Sequence, residues 1–241
     1  MKGKNAQGKG AHGASARGKA AKGAQKKTTP SRTARKVVFD APAPAPEQPR
    51  TFRLGVFAGA TPGKWADIWK TRMPQVPIEL LPTDGAEPVA VDTLDARLVR
   101  LPIDESELHV IRLYEELPVV VASTDSHLLA ADELDAADLA GEVLLTSEQD
   151  VLELDLPGTA SSAYGAVPTT ADLIATVATG AGIAIVPMSL ARLHHRKDVE
   201  YRVLRDGPIS SVAFAWPRGR TTDDVETFVG IIRGRTANSS R

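Results

Sequence analysis

The densest run of chemically capable side chains lies at the start of the chain, where residues 1–36 hold eleven Lys and Arg and no Asp or Glu. They are Lys2, Lys4, Lys9, Arg17, Lys19, Lys22, Lys26, Lys27, Arg32, Arg35 and Lys36. Such a run neutralises phosphates and gives weak, salt-sensitive, sequence-blind contact with DNA or RNA. The same charge can instead solubilise the chain or fold back on the remainder, where 18 Lys and Arg stand against all 30 Asp and Glu, a net −12. No aromatic residue interleaves the cations, which argues against specific single-strand recognition by base stacking.

Other chemistries lack their residues. Cysteine is absent, which removes disulfides, thiolate metal sites and a thiol nucleophile. His194 and His195 are adjacent, and neighbours in sequence do not share a helical face, so this pair alone does not chelate a metal. Asp132, Glu133, Asp135 and Asp138 read as a solvated acidic helix start. No G-x-S-x-G, phosphate-loop or H-E-x-x-H pattern occurs. The expectation is a protein that is not an enzyme and needs no cofactor or metal. No window reaches the roughly 18–20 apolar residues of a membrane helix, and no apolar h-region follows the N-terminal charge, so the expected compartment is the cytoplasm.

The elements that must position any site lie further on. Residues 1–35 have almost no large apolar side chains and read as disordered, and APAPAPEQP at 41–49 reads as a semi-rigid spacer. The most informative run is DLIATVATGAGIAIVP at 172–187. Leu173, Ile174, Val177 and Ala178 recur at helical spacing, Gly180 and Gly182 interrupt, and Ile183 to Val186 is wholly apolar. This predicts a helix, a tight turn against which the next strand packs closely, and a strand covered on both faces, as in a parallel sheet flanked by helices. Further strands are expected at 52–58, 78–81, 98–101, 110–114, 118–122, 143–145, 199–204 and 212–216. Helices are expected from Thr61-Pro62, with Thr61 as N-cap and Trp65, Ile68, Trp69 and Met73 on one face, and at 86–93, 134–139, 189–194 and 223–233. Residues 150–168 read as loop.

In order, these segments resemble the effector-binding (substrate-binding) domain of LysR-type transcriptional regulators. The residues that carry the resemblance are FRLGVFAGATP, MPQVPIELLP, the run Leu94 to Pro102, LPVVVASTDSHLL, Val177 to Pro187, and Trp216 to Phe228. The resemblance implies an α/β, two-lobed fold of the periplasmic-binding-protein type II kind after a disordered basic tail and linker at 1–50. It places lobe I at about 51–118 plus 216–235, lobe II at about 119–215, and a disordered end at 236–241. Residues 1–50 carry no helix-turn-helix pattern. The segment after Thr146-Ser147 is roughly ten residues shorter than usual, which implies a lost or reduced helix in lobe II.

The resemblance further implies a small effector, commonly an anion, held between the lobes near strand ends and helix N-termini. The matching positions are Ala60 and Thr61 at the first helix, Arg100 after the third strand, Ser123 and Thr124 at the crossover, Thr146 and Ser147 after a lobe II strand, and Thr169 and Thr170 before the helix at 172. Thr61 and Thr170 serve equally as helix caps, and Arg100 equally as a strand-end arginine paired with a carboxylate. A homodimer and a link to transcription regulation are implied by the family alone. The alternative is a nucleic-acid-associated protein acting through its tail, with the body as scaffold.

Overall fold

The computed structural model describes residues 49–83, 93–152, 154 and 156–234. The basic tail, the linker to residue 48, the helix expected over 86–93 except Thr93, and residues 235–241 lie outside the described residues. The described residues form one compact unit, built on two mixed sheets.

The first sheet has the order β2-β1-β3-β11-β4, comprising β1 (Phe52–Val56), β2 (Ile78–Pro82), β3 (Ala96–Arg100), β4 (Leu108–Glu116) and β11 (Ser210–Pro217). Strand β1 runs parallel to β2 and β3, while β11 is antiparallel to β3 and β4. Alternation in β1 puts Phe52 and Leu54 inward, where Phe52 stacks on Trp69 of α1 (Gly63–Arg72) with centroids 4.6 Å apart. Phe228 of α4 (Asp223–Ile232) closes the cluster at 5.1 Å from Phe52 and 5.4 Å from Phe214. Each such ring contributes roughly 2–3 kcal/mol by leaving water. The Trp69 indole N–H donates to the Val76 carbonyl at 2.8 Å, so its one polar atom is satisfied in the core. On α1, Ala66 and Trp69 are buried while Ile68 is exposed, so the packed face is narrower than expected. Thr61 does not cap this helix: Pro62 occupies the N-cap position, and its carbonyl accepts from Ala66.

The second sheet has the order β6-β10-β5-β9, from β5 (Pro118–Ser123), β6 (Glu133–Leu134), β9 (Ala184–Pro187) and β10 (Val199–Leu204). One face packs on α2 (Thr170–Val177) and α3 (Met188–Leu193) through Val119, Val121, Ala184 and Val186. The other packs Val120, Ala122 and Ile185 on Leu128, Leu134 and Leu139. Strand β9 is therefore buried on both faces as expected, but it pairs antiparallel with β5. A wholly apolar run reports coverage, not strand direction. The short helical turn expected at 134–139 is a 3₁₀ turn at Ala136–Leu139. The expected loop at 150–168 contains a two-residue strand, β8 (Ala160–Ser161), parallel to β7 (Val143–Leu144), and its described residues hold no helix.

The chain passes from the first sheet to the second at Leu117, the single residue between β4 and β5, and returns between β10 and β11. Residues 210–215 therefore belong with the first lobe, which corrects the return point expected at 216. The apolar run at 212–216 suits either sheet, and only its pairing with β3 and β4 decides. The two passages touch: a Cβ on Gly207 would sit 2.7 Å from Pro118 Cγ and 2.8 Å from Leu204 Cδ2.

The two glycines of the central run have distinct tasks. Gly180 has φ +77° and ends α2 with open space around it, whereas Gly182 lies against β7, where a Cβ would overlap the Val143 carbonyl. The close approach is thus to a strand rather than to the helix. Gly180→Ala should cost about 1–2 kcal/mol from left-handed strain alone. Gly182→Ala should cost more, because backbone must move to relieve the overlap. Urea denaturation of the two variants checks this order, and equal midpoints would contradict it.

Candidate functional site

Strands β1 and β3 are parallel neighbours, so their C-terminal ends open at the same edge of the first sheet, the edge that faces the second lobe. A cleft of about 880 Å³ opens there. Phe57, Ala58, Thr83 and residues 97–100 line it from the first lobe, and Glu148, Gln149, Asp150, Thr169 and Thr170 line it from the second. A larger groove of about 1150 Å³ runs between α1, β4 and α4, but the first lobe alone lines it. Of these two, the cleft is the one lined by both lobes.

Arg100, at the end of β3, is the most heavily engaged side chain in this region. Its Nε donates to Glu116 Oε2 at 2.8 Å, and its Nη2 donates to the Ala58 carbonyl at 3.1 Å and to Ser189 Oγ at 3.2 Å. The guanidinium carbon lies 4.0 Å from the centroid of the Phe57 ring. Side-chain exposure is 12% for Arg100 and 4% for Glu116, so this is a desolvated ion pair. Glu116 Oε1 is buried without a partner. Glu116 ends β4 beside the crossover, and Ser189 lies in the first turn of α3 in the second lobe. Arg100 therefore ties the first sheet both to the hinge and across to the other lobe. Nearby, burial raises the Tyr114 phenol above its ordinary pKa, with Glu116 adding to the effect and Arg100 opposing it. Gly59, at φ +88°, packs on the same serine, where a Cβ would lie 2.8 Å from Ser189 Oγ.

On the second lobe, Thr169 N-caps α2, accepting from the Asp172 amide at 3.1 Å and donating to Asp172 Oδ2 at 2.8 Å. The Thr170 amide donates to Gln149 Oε1 at 3.2 Å. Side chains of the protein thus already occupy part of the donor set at this helix start. Thr146 and Ser147 line a small recess under the cleft, together with Gln149, Asp150 and Thr170.

The nine positions named from sequence thus separate. Arg100, Thr169 and Thr170 meet at the cleft, and Thr146 and Ser147 lie just beneath it. Ala60 packs toward the first core and Thr61 is exposed, with neither among the residues lining the cleft. Ser123 and Thr124 were expected at the crossover, which lies at Leu117; they stand at the opposite end of β5, where the Thr124 amide donates to the Asp198 carbonyl. Because β4 and β5 are almost continuous, the crossover precedes the apolar strand instead of following it. Sequence reading missed Arg97, Glu148 and Gln149. Arg97 carried a signal, since it alternates with Ala96 and Leu98, both buried, on a strand whose end was already suspected. Glu148 and Gln149 lie in a stretch without periodicity and carried none. The basic tail positions lie outside the described residues. Among the described residues, no His, Asp and Glu cluster could hold a metal, and no helix is long and apolar enough to cross a membrane.

Comparison with known proteins places this architecture. The Hca operon transcriptional activator HcaR of Escherichia coli (strain K12) is 24% identical over 184 residues, covering 71% of this chain and 62% of HcaR. The chain therefore spans less than two thirds of that relative. The BenM effector binding domain with its effector benzoate superposes with a TM-score of 0.64 at 20% identity, covering 77% of this chain and 91% of that one. The reduced OxyR regulatory domain from Pseudomonas aeruginosa gives 0.57 at 20% identity, covering 76% and 97%. These likenesses show a shared two-lobed α/β fold of the periplasmic-binding-protein type II kind. The family model of the LysR substrate binding domain matches residues 47–237, most of the chain, and this protein belongs to that family.

Proposed function

We propose that this chain is a cytoplasmic sensing domain that binds a small effector between its lobes and is linked to transcription regulation. The observation that carries the reading is the two-sided cleft at the ends of β1 and β3, which is large enough for a metabolite and lined by both lobes. A ligand that touches both lobes stabilises the closed arrangement by its differential affinity, and closure is the signal passed on. Thr169 and Thr170 are proposed as second-lobe contacts, and Arg100 as the residue that holds the closed lobes together.

A thermal-shift panel of carboxylates, sugars, amino acids and neutral amides against the full chain tests the reading. A true effector at a hundred times its dissociation constant adds about 2.7 kcal/mol, a rise of several degrees. Failure of every class to give a saturable shift would count against effector binding.

The closing role of Arg100 predicts an asymmetry. Glu116→Ala strands a buried guanidinium and should destabilise the chain by about 3–5 kcal/mol, whereas replacing both partners together, as Arg100→Met with Glu116→Leu, should cost less than the single change. Small-angle scattering on the double variant should show a larger radius of gyration, reflecting lobes released from Ser189. An unchanged radius would leave the pair a purely local feature.

A second reading rests on the eleven cations of residues 1–36, unaccompanied by acids. It assigns the tail a sequence-blind contact with nucleic acid. Retention on duplex DNA should fall steeply between 50 and 200 mM salt, a span on the order of that over which phosphate contacts weaken, and should vanish when residues 1–36 are deleted. Retention that survives the deletion would move the contact to the body.

A further inference from the structure

Two arginines line the cleft, and they are in opposite electrostatic states. Arg100 is committed to Glu116, the Ala58 carbonyl and Ser189, so its charge is balanced and its Nε and Nη2 are engaged. Arg97 is half-buried, lines the same cleft, and its guanidinium makes no hydrogen bond or ion pair with any described residue. A guanidinium that faces a cleft without an acceptor among the described residues is free to take an anion on its planar fork.

The strand beside it is built to admit this side chain. Arg97 pairs with Gly55 of β1, and a Cβ on Gly55 would lie 3.1 Å from Arg97 Cβ, 2.7 Å from Thr83 Cγ2 and 2.8 Å from Leu94 Cδ1. The missing methyl is therefore the space into which the Arg97 stem and Thr83 fit. The second lobe offers the opposite charge. Glu148 lines the cleft without an ion-pair partner among the described residues, and Asp150 lines it while its Oδ1 accepts the Leu152 amide at 3.0 Å. The start of α2, which elsewhere attracts anions, is partly filled by Gln149 and Thr169. A second negative group reaching across the cleft meets carboxylates.

We propose that Arg97, not Arg100, is the anion-holding and specificity-determining residue of the cleft, and that it selects ligands with a single carboxylate, amino acids included, over dicarboxylates. The proposal rests on the effector-binding reading and deepens it. The carboxylate docks on Arg97 at the first lobe, and the remainder of the ligand, neutral or cationic, faces Glu148 and Asp150.

Full-length protein is titrated by thermal shift and calorimetry with propionate, benzoate and L-lysine, with their carboxamides propionamide, benzamide and L-lysinamide, and with succinate. At least one single carboxylate should bind tenfold or more tightly than its own amide and than succinate. In Arg97→Gln this carboxylate-to-amide ratio should fall to about one, while Arg97→Lys should restore part of it. Arg97→Met serves if the glutamine variant does not fold. A merely structural role would change all affinities together and leave the ratio intact. A preserved ratio in Arg97→Gln, a preference for succinate, or binding of amides alone overturns the assignment while leaving effector binding in place. Absence of binding by every probe overturns it too, and the broader panel above then decides whether effector binding itself stands.

Discussion

The joint between the two lobes is built around one desolvated ion pair. Arg100 and Glu116 come from neighbouring regions of the first sheet, but the pair stands where the chain leaves that sheet, and the arginine reaches over to Ser189 in the other lobe. Taking both charges out of water is expensive, and their attraction offsets that cost only when geometry and extra hydrogen bonds are good. Here the arginine side has those extra partners in a backbone carbonyl, a hydroxyl and the face of Phe57, while the glutamate retains an unpartnered oxygen. The balance is therefore finer than in a hydrophobic contact of equal area. A contact of that kind suits a joint that must hold and release.

The surrounding backbone is shaped to let this contact form. Gly59 brings the turn after β1 against Ser189, and Gly207 lets the returning passage lie on Pro118 at the start of the outgoing one. A side chain at Gly59 would press on Ser189, the partner of Arg100, and one at Gly207 would press on Pro118 and Leu204. Each lobe is rigid by comparison: the first has a continuous aromatic cluster from Phe52 through Trp69 and Phe228 to Phe214, and the second a sheet buried on both faces. Rigid bodies joined by two short, tightly packed passages favour hinge motion over internal deformation.

How much of this was legible in the sequence depended on whether local pattern or long-range pairing decides each feature. The helix-glycine-strand run at 172–187 read correctly because apolar period and glycine position are local properties. The direction of β9 and the allegiance of residues 210–215 did not, because Val, Ala and Phe in an unbroken apolar run satisfy either neighbour, and only the partner strand chooses. The site divided along the same line. The helix cap was legible one residue off, since Thr170 was expected and Thr169 caps, whereas Ser123 and Thr124 were assigned to the crossover although they stand a full strand beyond it, at the far end of β5. Arg100 was found, but its partner was not: nothing in the spacing between residues 100 and 116 announces that their side chains meet.

That omission bears on how charged residues in a cleft are to be read. From sequence, an arginine at the end of a strand near a binding edge is a candidate anion clamp, and Arg100 fits the description better than Arg97. In the structure the charge of Arg100 is already answered by Glu116. A guanidinium with a buried carboxylate at 2.8 Å has its charge balanced within the protein. Three residues earlier, Arg97 sits where Gly55 leaves room and has no answering acid among the described residues. Occupancy by the protein's own groups therefore divides the two arginines into one whose charge is met within the protein and one whose charge is not met among the described residues.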